Sequence, residues 1–167
     1  MEPMFSDRSP SPASTSILPG AGEEFDTGRL GIYWKINGGH TGGRFSIVHH
    51  RLPPRTLAAP LHRHHREDEY SYVLRGSFGA LLGDEVVKAE PGTWVFKPRE
   101  QWHTFWNAGD TPCDIIEVIS PGGFEDYFRE LRAIWSDRTK AVPLLQKYQL
   151  DMDFDSVAKL CERFGLA

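Results

Sequence analysis

Cysteine is scarce in this chain. Two occur in 167 residues, Cys113 and Cys161, far apart and outside any Cys-x-x-Cys spacing. That excludes a disulfide framework and a thiolate zinc site, and both read as ordinary buried thiols. No apolar run approaches the roughly 20 residues that a membrane span needs. An excess of one charge is missing too: 19 basic and 23 acidic side chains leave a formal net charge of −4 at pH 7. The cationic surface that nucleic acid or an anionic membrane would require is therefore not expected. Residues 1–22 hold four prolines and five serines but no basic stretch leading into an apolar one, so they do not resemble a secretion signal and the expected location is the cytoplasm. The glycine-rich run Gly38-Gly39-His40-Thr41-Gly42-Gly43 lacks the Gly-Lys-Ser/Thr ending of a phosphate-binding loop, and reads as a hairpin connection. There is no internal repeat.

What is present fits one domain with a real core, since 167 residues at 40% hydrophobic content are too few for two. Residues 1–22, rich in Pro and Ser, read as a flexible tail. From Leu30 the pattern has period two, Ile32, Trp34 and Ile36 alternating with Tyr33, Lys35 and Asn37, as in a half-buried strand. Further β-rich runs follow at 44–51, 69–75, 77–82, 85–89, 93–97, 103–107 and 113–119, separated by turn residues such as Gly83-Asp84 and Pro91-Gly92. No crossover helix intervenes, so residues 23–120 are expected to form an all-β, mainly antiparallel domain. After Pro121 the period changes. Phe124, Tyr127, Phe128, Leu131, Ile134 and Trp135 recur at three and four, which predicts an amphipathic helix. Asp155 reads as the cap of another, with Val157, Leu160, Cys161 and Phe164 as its apolar face and Gly165 as its stop. Residues 121–167 are thus expected to be a helical extension. With eight acidic and seven basic side chains there, it should pack on the barrel or on a partner subunit and not on DNA.

The chemistry concentrates in two stretches. In Pro60-Leu-His-Arg-His-His-Arg-Glu-Asp-Glu, a strand would put His62 and His64 on one face, about 6.6 Å apart. The chain then turns, and Glu69 opens the next strand. Glu67 and Asp68 are alternative carboxylates, ranked below Glu69 and read as a solvated turn. His65 has the opposite parity and should face outward. In the second stretch His103 follows a proline-centred turn at the head of a strand, where antiparallel pairing would bring it alongside the first two histidines. His49 and His50 share a strand, so one should point inward.

These residues resemble the two motifs of the cupin superfamily. His62, His64, Glu69 and Gly76 match His-x-His, four residues, Glu, six residues, Gly; Gly92, Pro98, His103 and Asn107 match the second motif, but Glu100 stands where the family usually has glycine. The resemblance implies a double-stranded β-helix, a jelly-roll barrel, holding one divalent metal ion per chain between His62, His64, Glu69 and His103. Three nitrogens and a carboxylate oxygen suit iron, manganese, nickel, cobalt, copper or zinc. The spacing is similar to quercetin dioxygenase-like cupins, which implies a dioxygenase acting on a small planar enol or catechol, with Glu69 both ligand and base. Burial by an aromatic wall would raise the proton affinity of Glu69. Phe96, Phe105 and Trp106 are candidates for that wall, although aromatic residues also fill small barrels as plain core.

Two other readings stay open. A metal-dependent isomerase, epimerase or lyase acting on a sugar or keto acid would want cations, for which Arg44, Arg51, Lys97 and Arg99 are available. A binding module would capture a small molecule without turnover. The family resemblance and the apolar helix face at 124–135 also point to a homodimer.

Overall fold

Alternation organises the chain from Gly31 onward, and the computed structural model, which describes residues 16–18 and 20–167, turns the alternating runs into strands. In chain order the elements are β1 (Glu24–Asp26), β2 (Gly31–Ile36), β3 (Ser46–Leu52), β4 (Leu61–His64), β5 (Asp68–Arg75), β6 (Phe78–Leu82) and β7 (Glu85–Ala89). There follow β8 (Trp94–Lys97), β9 (His103–Asn107), β10 (Cys113–Ser120), α1 (Glu125–Ala133), α2 (Ala141–Lys147), β11 (Leu150–Asp153) and α3 (Ser156–Phe164). The first fifteen residues of the expected tail, and Pro19, lie outside the described residues.

Two antiparallel sheets face each other, one in the order β1-β2-β3-β10-β5-β8 and the other β11-β4-β9-β6-β7. This is the expected jelly roll. The core lies between them because every second residue of each strand points inward: Val48 and Leu52 on β3, Val73 on β5, Ile115 and Ile119 on β10, and Phe78 on β6 are all fully buried. The glycine-rich run forms a single 3-10 turn, Gly38–Thr41, between the antiparallel pair β2 and β3, so it is the hairpin connection expected of it.

The segment 121–167 is not purely helical. Leu150 to Asp153 pair with β4, from Leu150 opposite His64 to Asp153 opposite Leu61, so the C-terminal part adds an edge strand beside the strand of the two histidines. Four residues are too few to show a period in the sequence. The apolar face of α1 turns onto the chain's own barrel: Phe124 and Tyr127 belong to the main core, with Phe128, Leu131 and Ile134 packed against it. Most of the face that suggested a homodimer thus packs on the chain's own barrel, while Trp135 at its end stays 42% exposed. α3 has Asp155 and Gly165 at its ends as expected, and seals a second small core of Leu57, Leu81, Trp106 and Leu160.

Two motif positions have direct backbone reasons. Gly76 holds φ at 82°, and a Cβ there would meet the Cys113 Cα at 2.7 Å. Glu100, where glycine is usual, adopts the left-handed region all the same, with φ of 67°. Its N–H donates to the His64 carbonyl at 2.7 Å, and its carboxylate accepts from His65 Nδ1 at 2.9 Å. A left-handed conformation costs a residue with a Cβ about 1–2 kcal/mol. Glu100→Gly is therefore expected to hold or raise the melting temperature; a fall of several degrees would mean that the exposed His65 contact outweighs the backbone strain. Among the described residues no helix is long and apolar enough to cross a membrane.

Candidate metal centre

The spacing of the first motif has a topological cause. β4 lies in one sheet and β5 in the other, and the residues between His64 and Asp68 carry the chain across. His62 and His64 therefore stand on one wall with His103, which pairs directly opposite His62, while Glu69 faces them from the other wall. One ligand atom from each of the four buried residues lies within 4.8 Å of the other three. Glu69 Oε2 is 3.2 Å from His103 Nε2, and Glu69 Oε1 is 3.5 Å from His64 Nε2. Donors about 2.1 Å from a common ion and about 90–110° apart lie about 3.0–3.4 Å from one another, so the two Glu69–histidine separations are close to those of ligands sharing one divalent ion.

The rings are oriented for that task. His62 Nδ1–H donates to the Pro60 carbonyl at 2.8 Å and His103 Nδ1–H to the Gln101 carbonyl at 3.0 Å, which leaves both Nε2 lone pairs directed at the centre. Burial, reinforced for His62 by the neighbouring histidines, holds His62 well below the usual histidine range, and burial likewise lowers His103. The rings are thus neutral, as metal binding requires. His64 Nδ1 faces Glu67 Oε2 at 3.6 Å, both atoms buried and neither with a hydrogen-bond partner. Glu67 is therefore no solvated turn residue; Asp68 is nearer that description, binding the Arg99 guanidinium at 2.8 Å. Glu67→Ala is expected to weaken metal affinity roughly 10- to 100-fold by freeing the His64 ring, measurable by chelator competition. Unchanged affinity would assign Glu67 to folding alone.

A second layer of charge lies behind Glu69. Lys97, fully buried, places Nζ 3.0 Å from Glu69 Oε2 and 2.8 Å from Glu117 Oε2, and Ser71 Oγ–H donates to the same Glu117 oxygen at 2.9 Å. Burial works against ionisation of Glu69, but the Lys97 ammonium beside it holds its carboxyl well below the usual range. This reverses the expectation that burial makes Glu69 a stronger base. Burial prevails at Glu117, pushed up to about 7 against the pull of Lys97. The sequence carried a signal for both missed residues: Lys97 is in phase with Val95, and Glu117 with Ile115 and Ile119, at inward positions. Charges in phase with buried residues must be paired.

His62, His64 and Glu69 line a cavity of about 690 Å³, whose walls include Ile32, Phe105, Phe124, Tyr127, Phe128 and Leu131. Of the three aromatic residues proposed for its wall, Phe105 alone lines it. Phe96 is 51% exposed, because its parity on β8 is opposite to that of Lys97. Trp106 points away from the barrel onto Phe164, ring centroids 4.2 Å apart, and lies so close over Gly79 that a Cβ there would meet its ring at 2.2 Å. The larger part of the aromatic wall comes from α1. Asn107 fixes a turn, its Nδ2 donating to Leu52, Pro53 and Thr111 carbonyls. His65 binds Glu100 and Asp151 outside the cluster, and His49 turns outward to Asp114 at 2.8 Å, while His50 lines the cavity. Arg51 is held by Asp114, Arg99 by Asp68 and Arg44 by the Thr41 carbonyl. Arg29 is the one arginine or lysine among the described residues that lines the cavity.

Known proteins resemble this chain in part of its sequence and in its fold. The family model for a cupin domain matches residues 48–119. The tetracenomycin polyketide synthase protein TcmJ of Streptomyces glaucescens is 33% identical over 60 residues, which are 36% of this chain and 40% of TcmJ. This chain therefore matches well under half the length of that relative. Among solved structures, KdgF from Halomonas sp. superimposes with a TM-score of 0.58 at 16% identity, over 66% of this chain and 96% of KdgF. A variant of Streptomyces PAC13 with uridine gives 0.55 at 13% identity, over 68% and 87%. At such identities these structures speak for the fold alone.

Proposed function

Residues 48–119 match a cupin domain, and from that premise we propose that the chain is a metal-dependent dioxygenase acting on a planar, largely apolar enol or phenol. The observation that carries this reading is that three of the four clustered metal-type donors, His62, His64 and Glu69, line a cavity of about 690 Å³ with aromatic walls. That volume suits a ligand of two to four fused rings. The scarcity of arginine and lysine in the lining disfavours a sugar phosphate. His62, His64, His103 and Glu69 would hold one ion of iron, manganese, nickel, cobalt, copper or zinc. When bound, such an ion supplies Lewis acidity toward the enol or phenol oxygen and, if redox-active, a route to dioxygen chemistry. The protein's own residues do the rest. The His62 and His103 rings, neutral through burial, together with His64 and an ionised Glu69, kept so by Lys97, form the donor set; Phe105, Phe124 and Phe128 flank the ligand's faces and exclude water. Both oxygen atoms enter the product, so no external reductant is required.

The likeness to TcmJ favours a second reading, in which a polyketide-like substrate is transformed without dioxygen. Metal analysis of the purified chain, followed by assays with flavonols and diketones in air and under nitrogen, separates the two. One oxygen molecule taken up per substrate lost supports the dioxygenase. Equal turnover under nitrogen supports the second reading. Stoichiometric binding without product, whichever ion is loaded, leaves a binding module.

A further inference from the structure

Two polar groups of the cavity are used by neither the metal cluster nor the fold. β10 and β3 pair with Ile115 opposite His50 and Glu117 opposite Val48, so His50 and Glu117 are diagonal neighbours on one inward face. Both line the cavity, at 2% and 1% exposure. Lys97 and Ser71 occupy Glu117 Oε2, whereas Oε1 has no partner. The His50 ring lies between Phe105 and Phe128, ring centroids 6.2 and 5.6 Å away. It has the Gly31 backbone as a hydrogen-bond partner, and Nδ1 has none. A buried polar atom left without a partner costs more than a made hydrogen bond gains, and such atoms in a native fold call for an explanation.

The explanation we infer is that Glu117 Oε1 and His50 Nδ1 form a second polar station in the cavity, selecting planar ligands that carry a hydroxyl group besides the oxygen offered to the histidine cluster. It rests on the reading of the cavity as the substrate site. Above about pH 7 both station atoms are acceptors, Glu117 once its carboxyl, pushed up to about 7, has ionised, and His50 Nδ1 because the ring's other nitrogen bonds the Gly31 backbone, which sets pH 8 for the test. Two acceptors facing one cavity demand donors, so a hydroxylated edge is favoured over an ether or a bare carbonyl. Glu117 and Glu69 touch the same Lys97 ammonium, which keeps those two carboxylates within about two hydrogen-bond lengths of each other. Both oxygens must therefore sit on one small ring system.

Naphthols provide the test. The full chain, metal-loaded and after chelation, is titrated by fluorescence with 1-naphthol, with 1,3- and 1,8-dihydroxynaphthalene, and with the monomethyl ethers of those diols. At least one diol is expected to bind about tenfold more tightly than 1-naphthol and than its own methyl ether, and in Glu117→Gln that preference should shrink to within about twofold. If the variant does not fold, the ether comparison on the wild-type chain decides alone. Parity of diol and 1-naphthol, parity of diol and ether, or no measurable diol binding each overturns the inference, the first two leaving the station to an ordered water only. The two readings fail separately. A diol preference that survives chelation, in a chain whose naphthol binding ignores metal, sustains the station and sinks the proposed function. Metal-dependent binding with no diol preference does the reverse.

Discussion

Replacing His103 with alanine is expected to empty the metal centre, taking the purified chain from about one ion per molecule to a small fraction of that. The reason lies in the geometry. His103 Nε2 is 3.2 Å from Glu69 Oε2, and His103 is the residue through which β9 reaches the cluster, opposite His62 of β4. Without it, two histidines on one strand face a single carboxylate across the barrel, and that carboxylate is already engaged by Lys97 at 3.0 Å. Glu69→Ala should empty the site from the opposite wall. The loss has a second readout. An ion that binds the folded chain alone stabilises it by about 4 kcal/mol at a thousandfold excess over its dissociation constant, or very roughly 8–16 °C in a chain of this length. Wild-type protein should therefore melt higher with metal than after chelation, and the variant should melt at one temperature in both states. Retention of a full equivalent of metal by His103→Ala, or a melting shift unaffected by the substitution, would place the ion elsewhere.

Much of the fold and the core of the site were legible because they are written in periods and spacings. Period-two runs between Gly, Pro and Asp turns became strands, and the separation of His62, His64 and Glu69 proved to be the length of chain needed to cross between the sheets. What was missed turns on side-chain parity and on pairing across distant strands. Val95, Phe96 and Lys97 are adjacent and two of the three are apolar, which conceals that the lysine is buried and the phenylalanine is not. Phe105 and Trp106 cannot both face the barrel, since neighbours on a strand point to opposite sides; α3 hides the distinction by covering the outward one. The Lys97–Glu117 contact joins β8 to β10, which are not adjacent in the sheet order, so no local pattern announces it. β11 shows the same limit, being recognisable as a strand chiefly by its pairing with β4.

The buried lysine leads to the other large effect. Lys97→Met is expected to cost about 3–5 kcal/mol, because it leaves two buried carboxylates without the ammonium that joins them. The charge balance distinguishes this from the neighbouring substitution. Glu69, Lys97 and Glu117 together carry two acids and one base; Glu117→Gln leaves a neutral pair and should be much the milder change, whereas Lys97→Met leaves like charges facing each other. The dependence on pH follows in sign. Glu117 has its folded pKa pushed up to about 7 from the ordinary 4.5, so its contribution is fully favourable below 4.5 and is lost as pH rises through 7. Glu69 is held low by Lys97, so the stability it lends the wild-type chain is present above the ordinary carboxylate range and fades in acid. Removing Lys97 pushes both carboxyls upward, and the deficit relative to wild type should be greatest near pH 8 and shrink toward pH 5. His50, His62 and His103, lowered mainly by burial, lose stability as pH falls; Lys97 adds to the lowering of His50 and His103, so its removal eases that loss and works in the same direction. Thermal melts of the two single variants across that range, metal removed, are the measurement. Equal losses for Lys97→Met and Glu117→Gln, or a deficit that does not change with pH, would mean that the ammonium is not what holds the two carboxylates in the barrel.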